Sequence, residues 1–261
     1  MINKNSTFEY TKKDDKMTPF QVFCDYSDEK DKCATGTAVI INSKKIKIDS
    51  ILDVGSGDGN LLLSIIKQLD FKPKIIDILE PSKDLLQVAI SNFRDYEGIK
   101  FIENKFEDWE SESTYDIVLA SHLYHITKEN MENQYMKLIN KVKVGGSLIF
   151  IMRTDDDIYR FKSIFKKKIL GDMYTAQTIQ DAYTVFVSFV PEKDIKLSNL
   201  YSTLNIPLEK SIKDSEQILS FLLNSKFEEL GADIKLEILD YIRNIDGVFN
   251  IVEGIMVIDK Y

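Results

Sequence analysis

Between residues 44 and 153, short apolar runs of β type alternate with stretches whose apolar positions recur at the helical period. The pattern predicts strands near 50–54, 74–79, 100–103, 115–120 and 147–152, with helices over 59–70, 82–93 and about 128–143. Such alternation makes a parallel sheet covered on both faces, because each crossover helix buries its apolar stripe against the strands it joins. Lys143-Val144-Gly145-Gly146 reads as a helix stop before the strand from Ser147 to Met152. Beyond 153 the pattern is less regular. Helical stretches are expected near 155–168, 175–186, 214–224 and 230–243, and strands at 194–200 and 251–259, able to pair antiparallel at the sheet edge.

No internal repeat and no Pro-, Gly- or Ser-rich linker interrupts the 261 residues, so one domain is expected over 1–261. Within it, 44–153 forms the core, 154–261 supplies helices and edge strands, and 1–43 precedes the first core strand. That leading segment is polar, yet Phe20, Val22, Phe23 and Tyr26 give it something to bury. In open α/β sheets ligands sit beyond the carboxyl ends of the strands, so it is placed as a lid or cap over the site.

The loop after the first strand carries the most chemistry. Ile51-Leu52-Asp53-Val54 runs into Gly55-Ser56-Gly57-Asp58-Gly59-Asn60 and then into the amphipathic stretch from Leu61 to Ile66, a strand, a tight turn and a helix. Glycines there permit positive φ and let the backbone approach a ligand without a Cβ in the way. The dinucleotide fingerprint is Gly-x-Gly-x-x-Gly, whereas here the third glycine comes one position early and Asp53 precedes the first by two. A carboxylate at that place repels a pyrophosphate but suits the ammonium and sulfonium charges of S-adenosylmethionine. Glu80 ends the second strand, 25 residues beyond Gly55, where its carboxylate can accept hydrogen bonds from both ribose hydroxyls, with the turn residues Pro81 and Ser82 beside it. After the third strand, Phe106 and Glu107 are placed at the adenine, and Trp109 is as well suited to a core role.

The fourth strand ends in Ser121-His122-Leu123-Tyr124-His125-Ile126, which brings the chain's only two histidines and a tyrosine to the edge where a cofactor methyl group would lie. Ser121 is assigned to the cofactor. His122 and His125 are assigned to the acceptor, to orient it or remove its proton near neutral pH, with Tyr124 as a wall. Cys24, Cys33, His122 and His125 are of zinc-ligand type, but eight residues between the cysteines is not a knuckle spacing, and no metal is expected. No Asn/Asp-Pro-Pro-Tyr segment follows the strand, so a small-molecule acceptor is expected rather than a DNA base or a glutamine side chain.

Composition narrows the partners. A net charge of −8 and a pI near 5.0 argue against nucleic acid, which needs clustered Lys and Arg. Two cysteines and no signal-like N-terminus imply a reducing, cytoplasmic setting, and no apolar run approaches the roughly 20 residues that span a bilayer. A monomer is the default expectation.

With these residues in place, the chain resembles class I S-adenosylmethionine-dependent methyltransferases, on Asp53 to Gly59, Glu80 and the strand ending at Ala120. More narrowly it is similar to the histamine N-methyltransferase group, on Phe23 to Glu29, Leu79-Glu80-Pro81-Ser82, Leu123-Tyr124-His125-Ile126, Leu200 to Leu204 and Ile255 to Asp259. The resemblance implies a Rossmann-like, doubly wound α/β sheet of seven strands, mostly parallel with an antiparallel C-terminal edge strand. It also implies an acceptor pocket shaped by the C-terminal region and lined by Phe20, Phe23, Glu29, His122, Tyr124, His125 and Asn250. In that group an N-terminal acid holds a cationic amine, and Glu29 falls on its position. His122 stands where the group has an amide, His125 where it has a tyrosine, and Asn250 lies one place from the group's C-terminal asparagine. The implied reaction is methyl transfer to a nitrogen of an amine or imidazole. An O-methyltransferase and a non-catalytic S-adenosylmethionine-binding protein are the alternatives, and a nicotinamide-dependent reductase is disfavoured by the glycine spacing.

Overall fold

The computed structural model describes residues 18–44, 47–123, 126–127, 129–171 and 177–261. Its strands are β1 (Ser50–Val54), β2 (Ile75–Leu79), β3 (Ile99–Ile102), β4 (Tyr115–Ser121), β5 (Val142–Arg153), β6 (Ile195–Asn205) and β7 (Val248–Asp259). They form one seven-stranded sheet in the order β3-β2-β1-β4-β5-β7-β6. The pairs from β3 through β5 are parallel and β7 runs antiparallel to β5, which is the Rossmann-like doubly wound sheet expected. The helices are α1 (Pro19–Asp25), α2 (Glu29–Asn42), α3 (Asn60–Ile66), α4 (Lys83–Asn92), α5 (Met131–Asn140), α6 (Asp157–Leu170), α7 (Ile179–Phe186), α8 (Ile212–Leu223) and α9 (Ala232–Asn244). No described helix is long and apolar enough to cross a membrane.

Contacts divide the chain into two compact units, the first made of Asp31–Thr154, Gln177–Leu200 and Glu253–Tyr261. Its sheet buries both faces. Leu52, Val54, Val118, Ala120, Phe150 and Met152 point to one side, where Tyr135 of α5 and Phe186 of α7 stack with ring centroids 4.6 Å apart. Ile51, Ile117, Leu119, Ile149 and Ile151 point to the other, against Leu62 and Ile65 of α3, Leu86 of α4 and Phe93 just beyond it. Side chains alternate along a strand, so these two sets are the odd and even positions of the same strands.

Helix α2 was not expected from the sequence pattern. Its buried stripe is Cys33, Ala34, Thr37, Ala38 and Ile41, mostly small side chains that leave no strong hydrophobic periodicity, yet four of them belong to the core on the Ile51 face. Close approach explains the small residues: a Cβ at Gly36 would lie 2.7 Å from both Leu200 methyl carbons. Part of the 1–43 segment assigned as a cap is thus core structure.

The second unit draws on Met1–Lys30, Asp155–Ala176 and Tyr201–Val252. Its core is Val22 and Phe23 of α1, Phe161 and Phe165 of α6, Leu219 and Leu222 of α8, Ile238 and Ile242 of α9, and Phe249. Both units are discontinuous in sequence, so no linker or shift in composition marks the division.

The predicted helix stop at Lys143 to Gly146 is instead strand. Helix α5 ends at Asn140, and β5 begins at Val142 with an irregular register, Tyr115 opposite Val142 and Ile117 opposite Ser147. Gly146 permits this because a Cβ there would stand 2.6 Å from the Asp116 carbonyl oxygen. Gly146→Ala is expected to destabilise the protein by about 2 kcal/mol, since backbone cannot yield as a side chain can; urea unfolding measures it.

Candidate active site

The site lies at the carboxyl ends of β1, β2 and β4, all in the first unit. Gly57 has φ 59°, and no atom lies within 4 Å of where its Cβ would be, so this part of the loop faces open space. Gly55 has φ 69° and is roofed by Leu123, whose Cδ2 would be 2.6 Å from an added Cβ.

Hydrogen bonds hold this loop from three sides. Gly55 and Ser56 donate their N–H groups to the Leu79 carbonyl at 2.8 and 3.3 Å. The Glu80 carboxylate accepts from the N–H of Gly57 at one oxygen and of Ser82 at the other, both at 2.8 Å. Asn92, at the end of α4, donates its amide to the Asp58 carbonyl at 2.9 Å and to Asn60 Oδ1 at 3.2 Å, while Asn60 donates backbone and side-chain N–H groups to the Asp58 carboxylate. Asn92→Ala is expected to weaken S-adenosylmethionine binding about fivefold to tenfold, the worth of one or two net hydrogen bonds, with little change in thermal unfolding; calorimetric titration reads the first and a melt the second.

Asp53 is 4% exposed and accepts a hydrogen bond from the Ser56 hydroxyl at 2.5 Å. Burial pushes its carboxyl up to about 7, the Glu80 charge adds to this, and the Ser56 hydrogen bond opposes it. A buried acid poised near neutrality is a site that a cation would complete. Ser121 carries a second sign of a ligand: among the described residues its buried Oγ has no hydrogen-bond partner. Beside the loop, a cavity of about 320 Å³ is lined by Val54, Gly55, Leu79, Pro81, Asn104, Lys105, Phe106 and Glu107. That volume is at the lower end for a small-molecule site and suits the nucleoside half of a cofactor.

Most residues assigned from sequence to the cofactor meet here. Asp53, Ser56, Gly57 and Glu80 are joined by hydrogen bonds, Gly55, Pro81, Phe106 and Glu107 line the cavity, and Gly59 and Ser82 cap α3 and α4. Asn104 and Lys105 were missed, although they stand between Ile102 and Phe106 where the chain turns over the cavity. Trp109 is core.

The acceptor residues are distributed differently. His122 is 30% exposed at its side chain and has φ 56°, a conformation few non-glycine residues adopt, and its N–H donates to the Ile151 carbonyl at 2.9 Å. Its Nε2 lies 3.7 Å from Glu253 Oε2, and Arg153 Nη2 lies 3.3 Å from Glu253 Oε1. Neither Arg153 nor Glu253 was singled out from sequence; an acid inside the apolar run Ile251 to Ile258 was the available signal. Tyr124 and His125 lie outside the described residues. In the second unit, Phe23 is buried against Phe221 and Phe20 packs on the same ring, with Lys30 Nζ 4.5 Å from the Phe20 centroid. Glu29 is buried, and Asn250 is exposed with its amide on Asp157 Oδ2 at 2.9 Å.

Comparison with known proteins bears on the same residues. A family model described as a methyltransferase domain matches residues 51–146. Malonyl-[acyl-carrier protein] O-methyltransferase of Halalkalibacterium halodurans is 27% identical over 189 residues, 70% of this chain and 66%, just under two thirds, of the relative's length. Among solved structures, a Bacillus halodurans protein assigned to the methyltransferases superposes with a TM-score of 0.55 at 13% identity, over 85% of this chain and 96% of that one. The plantazolicin methyltransferase BpumL, solved with S-adenosylhomocysteine, gives 0.51 at 16% identity over 93% and 85%. At such identities the structures speak for the fold. The family match covers the glycine loop, Glu80 and the segment over the cavity, so residues 51–146 are similar to a methyltransferase domain.

Proposed function

We propose that this chain is an S-adenosylmethionine-dependent methyltransferase acting on a small-molecule acceptor at a nitrogen of an amine or imidazole group, working as a monomer in which both units serve one methyltransferase. The observation that carries the cofactor half is the buried Asp53 beside a glycine loop whose Gly57 and Ser82 N–H groups are held by Glu80. S-adenosylmethionine, when bound, supplies a sulfonium-activated methyl group to a nucleophile in line with the breaking bond. Asp53 takes the cofactor's ammonium group, Glu80 the ribose hydroxyls, Ser121 a polar group of the methionine half, and Phe106 and Glu107 the adenine. Because the methyl group arrives activated, the chain's own task is mostly positioning, with the reacting atoms held about 3 to 3.5 Å apart.

On the acceptor side, His122 and His125 orient the nucleophile or take its proton. By the resemblance, Glu29 is the residue that anchors a cationic acceptor, and Phe20, Phe23, Tyr124 and Asn250 are its further acceptor residues. Support comes from the resemblance on these residues and from the chain's net charge of −8, which favours a cationic small molecule over nucleic acid. A second reading is O-methylation, favoured by the name of the 27% identical relative. Incubation with methyl-labelled S-adenosylmethionine and separate pools of amines, imidazoles, phenols and carboxylic acids distinguishes them. Label in the first two pools is expected. Label in the last two alone establishes the second reading, and cofactor binding without transfer to any pool leaves a binding protein.

A further inference from the structure

A polar row crosses one face of the sheet from the cofactor loop toward β7. Asp53 pairs in register with Leu119, so Ser121 stands one same-face position further along β4; Ser121 pairs with Ile151, so Arg153 stands one further along β5; and Arg153 pairs directly with Glu253. All four positions share the face of Ile51, Ile117, Leu119, Ile149, Ile151 and Ile255, at the carboxyl end of the parallel strands. The row starts at the carboxylate assigned to the cofactor's ammonium group and ends at a carboxylate 1% exposed.

A carboxylate that deep is costly unless partnered. Arg153 faces one oxygen of Glu253 at 3.3 Å, and His122 faces the other with Nε2 at 3.7 Å, in ion-pair rather than hydrogen-bond range. His122 reaches it because its positive φ breaks the alternation of β4 just past Ser121. A ring nitrogen beside an anionic oxygen is favoured as N–H, which leaves the other nitrogen with its lone pair.

We propose that Glu253, clamped by Arg153, is a positioning residue that fixes His122 in the tautomer protonated on Nε2, so that Nδ1 is the base receiving a proton from the acceptor. The inference rests on the reading of His122 as an acceptor-side residue, and it specifies the acceptor class: the attacking atom carries a proton that it must lose, as in a hydroxyl, an ammonium group or an N–H. An ammonium acceptor gives its proton to Nδ1 before attack, which frees its lone pair; in each case the acceptor lone pair forms the new bond to the methyl carbon, the electrons of the breaking carbon–sulfur bond stay on sulfur, and the acceptor's proton ends on Nδ1. The imidazolium so formed has the Glu253 carboxylate beside it.

The test is ring-nitrogen NMR of the protein labelled with ¹⁵N-histidine. There are only two histidines to assign, and a His125→Gln variant identifies His122. In neutral His122 of the wild type the proton is expected on Nε2. In Glu253→Gln the amide oxygen goes to Arg153, which has only donors to offer, and the amide NH₂ turns to His122, so the tautomer is expected to invert; Glu253→Asp is expected to restore Nε2–H. A wild-type proton on Nδ1 overturns the proposal even if Glu253→Gln does not fold, and so does an unchanged tautomer in a folded Glu253→Gln protein. Methyl transfer to a labelled acceptor pool separates this from the underlying reading. His122→Gln with undiminished kcat removes His122 from the acceptor side, whatever the tautomer. If His122→Gln is impaired, Glu253→Gln is expected to lose about tenfold or more in kcat with KM nearly unchanged, and an unimpaired Glu253→Gln overturns the positioning role alone.

Discussion

Asp53→Asn is expected to stabilise the cofactor-free protein at pH 8 while weakening S-adenosylmethionine binding by tenfold or more. Both effects follow from one buried carboxyl pushed up to about 7. In the unfolded chain the same group ionises near its ordinary value of 3.8. Since the folded value is raised, the protonated carboxyl's contribution to stability is fully present below that ordinary value and is lost as pH rises through about 7. The loss is at most about 4 kcal/mol. Asparagine cannot ionise, keeps an oxygen for the Ser56 hydroxyl, and escapes that loss, so the variant's melting temperature at pH 8 should exceed the wild type's by several degrees and match it near pH 4. A cation in the site reverses the preference, because it stabilises the ionised form. Cofactor affinity should therefore rise about tenfold between pH 6 and pH 8 in the wild type, as the carboxyl goes from mostly protonated to mostly ionised, with proton release on binding near pH 7. In Asp53→Asn this component of the pH dependence should vanish. Thermal melts at the two pH values and titrations in buffers of different ionisation enthalpy check each part.

Glu80→Ala should cost more, about 100-fold or greater in cofactor affinity. Its carboxylate holds the N–H groups of Gly57 and Ser82, both at 2.8 Å, and retains lone pairs for the two ribose hydroxyls. Removal deletes the charge-assisted bonds to ribose, each worth about 1.5–3 kcal/mol, and releases the loop at Gly57. Glu80→Gln keeps one acceptor oxygen and turns a donor toward either a backbone N–H or a ribose hydroxyl, so an intermediate loss of about tenfold is expected. A titration placing Glu80→Ala within threefold of the wild type would show that the ribose is held elsewhere.

The glycine loop and the residues around it were legible in the sequence because their signals are local. Asp53, the alternate glycines and Glu80 each follow directly on a strand whose apolar run is unambiguous, and strand ends in a parallel sheet converge on one edge. The cluster of His122, Arg153 and Glu253 depends on pairings between distant segments. Arg153 and Glu253 are 100 residues apart in the chain and meet only because β7 inserts between β5 and β6, an order that periodicity does not specify. Asn92 clamps the loop from 32 residues away through packing of α4 on Gly59. Helix α2 was hidden because close packing at Gly36 selects small residues over a strong apolar stripe, and β5 was read as starting late because Gly145 and Gly146 serve a strand irregularity rather than a helix end.

The glycine loop with Asp53 and Glu80 is proposed to bind a sulfonium cofactor rather than a dinucleotide. Calorimetric titration of the purified protein with S-adenosylmethionine, with NADH as control and Asp53→Ala alongside, tests it most directly. Binding in the micromolar range that Asp53→Ala abolishes, with no heat from NADH, is the predicted result. Binding of NADH in preference, or cofactor affinity unchanged in Asp53→Ala, would contradict it.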